Sequence, residues 1–321
     1  GHNIETIAIG LNLFVGPFPS SFLTNPKLKS LYINDNSLTG SLLVSIGYTD
    51  QLSILDVGNN LLLGTLPSSI GLLSSVQLLV LAGNSFIGDL SLVFADFDFN
   101  NAQMVTLDVN SNGFTGTLPY ALFNSSVLNV FVGAKNCFSG VLTSDLCSAA
   151  NLQLLDLSGM TASGDCSSSH HILGLDFYTV APVSGSIPEC LFSSMPNLVS
   201  LYLSGNGITS ELYDVPAVSK LRNISVSYNR LHGTIPTSLQ QRSQLQYIGL
   251  EYNRLSGTIS DMTEYGYGLN ASSSSDMSGR GITVNLESNH LSGDIPQEII
   301  NLDYVNVLAG NLFACKSRGS L

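Results

Sequence analysis

The chain has 321 residues, only 11% of them charged, and its 11 Lys and Arg against 23 Asp and Glu give a formal net charge of −12. That charge repels phosphate backbones and anionic membrane surfaces, which argues against nucleic acid as a partner. The longest apolar stretch, residues 71–83, is interrupted by polar residues and is shorter than the roughly 18 to 20 apolar residues that span a bilayer. The sequence therefore predicts no membrane segment.

Cysteines and glycosylation acceptors favour a secreted protein. The chain has five Cys and three Asn-x-Ser/Thr acceptor sites, at Asn124, Asn223 and Asn270. Disulfides and N-linked glycans both form in the oxidising secretory pathway. We therefore expect an extracellular or cell-surface location, with all three asparagines as candidate glycosylation sites.

An asparagine recurs with a basic step of 24 residues along most of the chain. A glycine stands four positions after most of these asparagines, and a proline often follows the glycine. Self-similarity at a fixed period of this length indicates a repeat architecture. The asparagines of this column are Asn12, Asn36, Asn60, Asn84, Asn112, Asn136, Asn206, Asn229, Asn253, Asn289 and Asn311.

One repeat reads L-x-x-L-x-L-x-x-N-x-L-x-G-x-L-P, and residues 52–67, LSILDVGNNLLLGTLP, are a complete copy. The alternation through Leu55 and Val57 predicts a short strand with its apolar side chains inward. The Asn amide donates and accepts at once, so a stacked column of Asn satisfies backbone groups of a buried bend. Since one repeat cannot bury its own apolar edge, neighbouring turns must stack. The sequence predicts a single solenoid domain over residues 1–321.

These repeats resemble those of extracellular leucine-rich repeat proteins of the plant-type subclass, which carry the same N-x-L-x-G-x-I/L-P signature, and the resemblance covers residues 4 to about 313. It implies an α/β-type solenoid, a right-handed superhelix of about 13 turns of about 24 residues with a parallel β-sheet on the concave face. Members of this family serve as receptor ectodomains, receptor-like proteins or polygalacturonase-inhibiting proteins. The fold alone does not choose among such functions.

Three departures from the 24-residue step are expected to be irregular. Four extra residues near 94–101 and twelve near 260–281 predict loop insertions, and residues 158–185 form irregular turns in which Met160 and Ala181 replace the asparagine. Cys315 has no second cysteine nearby, and neither end shows the paired-cysteine cap that the family resemblance implies. Caps are therefore expected to be absent from this sequence.

Cys166 falls in the inward column that leucine and isoleucine fill in other turns. Cys147 of the preceding turn or Cys190 of the next is in position to meet it, and a Cys147–Cys166 disulfide is the favoured pairing. Spacing alone does not fix connectivity, and a buried, unpaired Cys166 is the alternative.

No catalytic or metal-binding motif is present. The adjacent His170 and His171 point to opposite faces of an extended segment, so with Cys166 they make a weak metal site. Asp96 and Asp98 lack the spacing of an EF-hand. We expect no enzyme activity, no cofactor and no bound metal.

The residues on either side of the second strand leucine face outward, toward the concave side in the family resemblance. In the middle turns of the solenoid these outward residues form an apolar strip with aspartates among them. Such a strip marks either an interface or a surface covered by a lateral loop. The aspartates also have a structural explanation, because "LDL" and "LDV" are common in the family. The predicted binding residues are Ile54, Asp56, Leu78, Val80, Asp108, Val130, Val132, Leu154, Asp156, Leu175 and Phe177.

Two functions follow from this surface. The first is a non-enzymatic recognition module, such as a receptor or adhesion ectodomain, that binds a protein, peptide or glycan. A glycan on Asn223 would direct that partner toward the first two thirds of the solenoid. The alternative is a structural subunit that self-associates head-to-tail through its ends into an extracellular filament. Aromatic anchors for a partner are Tyr32, Tyr202, Tyr228 and Tyr252.

Overall fold

The computed structural model describes residues 4–95, 103–160, 166, 171–172, 175–176, 183–241, 244–260, 283–296 and 304–314. The chain divides into two compact units, Gly1–Ser184 (unit 1) and Gly185–Leu321 (unit 2). Each unit is built from stacked turns that follow the predicted repeat. That both units form a single solenoid domain stays a prediction.

Unit 1 contains a parallel sheet with one short strand per turn. The central residue of each strand from the second onward is buried, as Leu55 and Leu79 are, because successive side chains of a strand point to opposite faces. The strands are Thr6–Ala8, Ser30–Tyr32, Ile54–Asp56, Leu78–Val80, Thr106–Asp108, Val130–Val132 and Leu154–Asp156.

Each turn of unit 1 continues beyond its asparagine into a second short strand and then a short helical segment. The second strands are Val15–Pro17, Ser37–Thr39, Leu63–Thr65, Ser85–Asp89, Gly113–Thr115, Gly140–Val141 and Val183–Gly185. The 3-10 helices are Ser20–Thr24, Val44–Tyr48, Ser68–Leu72, Tyr120–Asn124 and Ser144–Ser148, with one α-helical turn at Leu90–Val93. These segments bury one residue or more of most turns, such as Ile46 and Leu122.

The predicted asparagine column is confirmed. In Asn60 the side-chain Nδ2 donates to the carbonyl oxygens of Ile33 at 3.0 Å and Val57 at 3.1 Å, while Oδ1 accepts from the Leu38 backbone N–H at 3.0 Å. Ile33 and Leu38 belong to the preceding turn and Val57 to the turn of Asn60 itself, so one side chain joins two neighbouring turns and satisfies backbone groups that burial would otherwise leave unpaired. The same bonds to the preceding turn are made by Asn36, Asn84, Asn112, Asn136, Asn229 and Asn253.

Unit 2 repeats this plan. Its parallel sheet has the strands Ser200–Tyr202, Asn223–Ser225, Tyr247–Gly249, Thr283–Asn285 and Tyr304–Asn306. Its second strands are Gly207–Ile208, Ser256–Thr258, His290–Gly293 and Leu312–Phe313, and its α-helical turns are Cys190–Ser193 and Thr237–Gln240. The buried central strand residues include Leu201, Ile224, Ile248 and Val284.

The irregular stretch predicted at 158–185 is described only in part. Two of its described strands, His171–Ile172 and Leu175–Asp176, pair antiparallel, whereas Val183–Gly185 pairs parallel with Gly140–Val141. The predicted insertion at 260–281 lies outside the described residues except for Ser260, and most of the insertion at 94–101 does too.

The predicted Cys147–Cys166 disulfide is wrong. Cys166 bonds to Cys137, with an S–S distance of 2.06 Å and a Cα–Cα distance of 5.2 Å. Its Sγ also lies 3.4 Å from the Asn136 carbonyl oxygen. Cys166 therefore lies next to the bend at Asn136 and not next to the 3-10 helix Ser144–Ser148, which contains Cys147. The constant repeat step placed Cys166 incorrectly because the step shortens in this stretch. Cys147 is itself disulfide-bonded.

Candidate binding surface

The exposed face of the unit 1 sheet (the unit 1 face) brings together nine of the eleven predicted binding residues. They lie in two adjacent columns, in register from strand to strand and half-buried. Thr106 interrupts the apolar residues of the first column. The first column runs Ile54, Leu78, Thr106, Val130 and Leu154, and the second runs Asp56, Val80, Asp108, Val132 and Asp156.

The other two predicted binding residues do not extend this face. Leu175 belongs to the antiparallel pair with His171–Ile172, so its placement in the parallel column is wrong. The prediction extended the 24-residue period through a stretch where the chain forms a local hairpin instead. Phe177 lies outside the described residues.

The three aspartates of the unit 1 face have a structural role. In Asp56, Asp108 and Asp156, Oδ1 accepts from the backbone N–H two residues further on, at 2.9 to 3.0 Å. This Asx-turn ends each strand and starts the bend toward the buried asparagine. Burial raises the pKa of Asp56 and Asp108 above the usual range, and neighbouring carboxylates add to the effect. The aspartates thus shape the backbone and also give the apolar strip a negative character.

The aspartates do not form a cation site. They alternate with valines, so successive carboxylates stand two strands apart, roughly 9.5 Å. Within the described residues no group of three or more His, Cys, Asp or Glu is placed to hold a metal ion. Cys166 is in a disulfide and has no thiolate to offer. His170, Asp96 and Asp98 lie outside the described residues.

The corresponding face of unit 2 is polar. Its outward residues are linked by side-chain hydrogen bonds, as from Asn223 Nδ2 to Ser200 Oγ at 3.0 Å and between Ser225 Oγ and Ser204 Oγ at 2.7 Å. Gly249 gives room to a neighbouring ring, because a Cβ there would lie 2.8 Å from Tyr247 Oη. The outward residues are Ser200, Tyr202, Asn223, Ser225, Tyr247, Gly249, Thr283 and Asn285.

The glycosylation acceptors have different surroundings. Asn124 is exposed at the end of the 3-10 helix Tyr120–Asn124, whereas Asn223 is half-buried in a strand of the unit 2 sheet. Asn270 lies outside the described residues. Modification at all three stays a prediction.

Two predicted anchors of unit 2 form a stacked pair that the sequence did not foretell. The Tyr228 and Tyr252 ring centroids are 4.4 Å apart, and the ring planes differ by 13°. Sequence reasoning missed the carboxylates beside them, Glu251 and Glu287. A signal was available, because the tyrosines each precede a column asparagine by one residue and the glutamates each precede one by two.

A groove opens on the side of unit 1, away from the unit 1 face. It has a volume of about 230 Å³ and an apolar lining with one carboxylate, that of Asp89. Asp89 Oδ1 accepts from both the backbone N–H and the hydroxyl of Ser91, so it starts the helical turn Leu90–Val93. Lining residues include Thr65, Leu66, Ile87, Leu92 and Phe114.

Comparison with known families agrees with this architecture. The Leucine Rich Repeat family model matches residues 27–48, 51–73 and 220–241. These three stretches are leucine-rich repeats. Residues outside these matches repeat the same asparagine pattern, so the leucine-rich repeats extend beyond the three stretches that match the model.

This leucine-rich repeat chain is similar to plant receptors. It is 29% identical to receptor-like protein 54 of Arabidopsis thaliana over 115 residues, which are 36% of this chain and 12% of that protein. Among solved structures it resembles the plant peptide hormone receptor RGFR1 in complex with RGF2, with a TM-score of 0.74 and 27% identity over 97% of this chain and 45% of that one. A TDR receptor matches with a TM-score of 0.72 and 26% identity, over 96% of this chain and 52% of that one.

The chain spans about half the length of these receptor structures. Within the part of the chain that the structure describes, no helix has both the length and the apolar character needed to cross a bilayer.

Proposed function

We propose that this leucine-rich repeat chain is a non-enzymatic extracellular recognition module that binds a peptide or protein through the unit 1 face. The observation that carries the proposal is the set of in-register apolar side chains, Ile54, Leu78, Val80, Val130, Val132 and Leu154, presented outward on adjacent strands. Outward residues of such short strands have no need to be apolar for folding, since the core is on the other side of the sheet.

The geometry of the unit 1 face suits an extended ligand. Neighbouring strands stand about 4.8 Å apart, so a ligand crossing the sheet meets a regular series of side chains. Asp56, Asp108 and Asp156 stand among the apolar residues. The ligand class that fits is a segment with apolar side chains and a basic residue among them, because a negative surface favours positive partners.

The receptor similarity supports a peptide as the ligand class, since RGFR1 is a plant peptide hormone receptor in complex with RGF2. An extracellular setting is supported by the Cys137–Cys166 disulfide and by the exposed acceptor Asn124. A glycan ligand and an inhibitor role toward polygalacturonase stay predictions.

The test is a selection of random displayed peptides on the purified chain, followed by affinity measurement for the selected peptides as synthetic probes. Val80→Arg with Val132→Arg places two charges in the middle of the strip, and we expect the probes to lose at least about tenfold in affinity. Ile87→Arg is the matched control, because Ile87 is an apolar residue, 50% exposed, on a strand outside the unit 1 face.

Selected peptides that bind the Val80→Arg, Val132→Arg double variant as well as they bind the original chain would contradict the proposal. Analytical ultracentrifugation of the glycosylated chain distinguishes the recognition module from the alternative, a subunit that self-assembles into a filament. A monomer over the micromolar range argues against a filament subunit, whereas fibres that dissociate on Val80→Arg with Val132→Arg would assign the unit 1 face to self-association.

A further inference from the structure

We propose that unit 2 carries a second binding site, in which Tyr228, Tyr252, Glu251 and Glu287 bind the guanidinium group of an arginine side chain on a peptide or protein ligand. This site is separate from the unit 1 face in position and in chemistry. It does not depend on the function proposed above.

The two tyrosines occupy a backbone position that disfavours them. Tyr228 has φ of 52° and Tyr252 has φ of 56°, in the left-handed region that bulky side chains rarely adopt. In most other turns the same position is filled by small or polar residues such as Asn59 and Gly83, which adopt it more readily, and Leu11 fills it in the first turn. The backbone therefore does not require tyrosine here, and we look for the role of the rings at the surface.

The rings form a stacked pair that solvent still reaches. Tyr228 is 55% exposed and Tyr252 is 43% exposed, although the two rings cover one face of each other. The next residue of the same column beyond Tyr252 is Ser288, whose side chain is small. An aromatic face open to water is a binding position for a cation, because the ring quadrupole places negative charge above the ring.

Backbone hydrogen bonds place the glutamate backbones next to those of the tyrosines. The Tyr228 N–H donates to the Glu251 carbonyl oxygen at 3.0 Å, and the Tyr252 N–H donates to the Glu287 carbonyl oxygen at 3.0 Å. Each ring is thus followed, one turn later, by a glutamate at the neighbouring backbone position. Two carboxylates and two ring faces share one small area of the surface.

One of these carboxylates lacks a donor. Glu251 Oε2 is buried and accepts no hydrogen bond, whereas Glu287 Oε2 accepts from Asn306 Nδ2. Leaving a buried carboxylate oxygen unpaired is unfavourable, so the Glu251 side chain gains a charge-assisted hydrogen bond when it turns this oxygen toward an N–H donor of a ligand.

No cation among the described residues forms an ion pair with the glutamates of the site. In the described ranges the ion pairs are Lys29 with Glu5 and His232 with Glu211, and neither glutamate of the site takes part. Arg230 and Arg254 follow the buried column asparagines and are exposed.

Arginine fits this arrangement better than lysine or a metal ion. A guanidinium is planar, stacks on an aromatic face and presents two parallel N–H donors to one carboxylate. Lysine offers a compact charge that does not stack. A metal ion prefers more oxygen ligands than two carboxylates supply, and this part of the structure contains no group of three such ligands.

The test is calorimetric titration of the full chain with the short probe acetyl-Gly-Gly-Arg-Gly-Gly-amide. The matched probes carry citrulline, which has the shape of arginine without its charge, or lysine. We expect the arginine probe to bind in the millimolar range or tighter, the lysine probe several-fold more weakly and the citrulline probe not measurably. Equal heats from arginine and citrulline, or no binding of the arginine probe up to about 10 mM, would overturn the proposal.

Variants locate the binding within unit 2. Tyr252→Asn keeps a residue that tolerates the left-handed backbone, as Asn59 does in unit 1, and removes the ring; Glu251→Gln keeps the side-chain shape and removes the charge. We expect each to weaken the arginine probe roughly 3- to 10-fold without lowering the melting temperature. Glu211→Gln, an exposed carboxylate of the same unit, is the control and should change nothing.

Val80→Arg with Val132→Arg separates this site from the unit 1 face. We expect that variant to bind the arginine probe as the original chain does. If the double variant abolishes binding of the arginine probe while Tyr252→Asn and Glu251→Gln do not weaken it, the unit 1 face binds the arginine. The proposal of a unit 2 site is then wrong.

Discussion

The interiors of unit 1 and unit 2 are built in the same way, whereas their exposed sheet faces differ. Both have buried central strand residues, such as Leu79 and Ile224, and both have asparagines that hydrogen-bond to the preceding turn. The unit 1 face is apolar with aspartates, whereas the unit 2 face is made of Ser, Asn, Thr and Tyr. The interior is constrained in every turn, while the exterior is free to differ, so each unit presents its own binding chemistry.

We expect the largest loss of stability when a buried asparagine of the column is substituted, because both units depend on this column. Asn136 is fully buried, its Nδ2 donates to three carbonyl oxygens and its Oδ1 accepts from the Phe114 N–H. Asn136→Ala leaves these groups unpaired, and we expect a loss of about 3–5 kcal/mol in the free energy of unfolding, measured by urea denaturation. Asn253→Ala should behave alike in unit 2.

Asn12→Ala is the control for this prediction. Asn12 is exposed and donates to two carbonyl oxygens, those of Ile9 and Gly10. Its loss should be about 1 kcal/mol. Equal losses at Asn12 and Asn136 would mean that burial of the column does not stabilise the turns.

Removing the Cys137–Cys166 disulfide should give the next largest loss of stability, and we expect that loss in unit 1. It closes a loop with a sequence separation of 29 residues, so Cys137→Ser with Cys166→Ser should lower the free energy of unfolding by about 3 kcal/mol. Amide hydrogen exchange should rise around Asn136 and stay unchanged between residues 200 and 260. Peptide mapping without reduction checks the pairing, and a Cys147–Cys166 peptide would contradict it.

Two glycines sharpen the comparison between interior and exterior. A Cβ on the buried Gly47 of unit 1 would lie 2.1 Å from the Ser69 backbone oxygen, so Gly47→Ala should destabilise by about 2–3 kcal/mol. On the unit 2 face, a Cβ at Gly249 meets the ends of the Tyr247 and Ser225 side chains. These ends move aside, so Gly249→Ala should stay below about 1 kcal/mol in thermal denaturation. A larger loss of stability for Gly249→Ala than for Gly47→Ala would contradict this comparison of interior and exterior.

The smallest effect is the pH dependence of the unit 1 face. Burial raises the pKa of Asp108 above its ordinary 3.8, so the folded state holds the proton more tightly than the unfolded state. The resulting stability is fully present below about pH 3.8 and is lost as pH rises through the raised pKa. Asp108→Asn should therefore stabilise the protein at pH 7 by a few tenths of a kcal/mol, since solvent screens a half-exposed group.

Urea denaturation of Asp108→Asn at pH 7 and at about pH 3.5 checks this prediction. The difference from the original chain should vanish at the lower pH. The column position of Asp108 is held by Ser225 and Asn285 in unit 2, which do not titrate, so no matching dependence is expected there.

Much of the fold followed from the sequence because its determinants are local or lie one turn away. Strand alternation placed Leu55 inside and Ile54 outside, and the asparagine spacing placed Asn60 in a buried bend. The registers between turns of equal length then follow, since each such turn aligns with the one before it, and the pairing of Leu78 with Thr106 holds across a longer turn. The same reasoning failed for Cys166 and Leu175, which lie where the step changes.

The candidate sites were predictable to different extents. The unit 1 face was found from periodicity, because its residues occupy fixed positions relative to the asparagine. The arginine site of unit 2 depends on the stacking of Tyr228 on Tyr252 and on one buried oxygen of Glu251. Side-chain rotamers and solvent access between neighbouring turns decide such features, and periodicity carries no information about them.

By itself, then, the sequence determined the repeat, the buried asparagine column and the inward or outward direction of each strand residue, because a period of 24 residues and the two-residue alternation of a strand are read along the chain. Only the tertiary structure decided that Cys166 pairs with Cys137, that Leu175 leaves the column, and that two tyrosines stack beside an unpaired carboxylate oxygen. These features are contacts between residues of different turns, and where spacing is irregular or side chains compete for space, the lowest free energy is settled by packing in three dimensions.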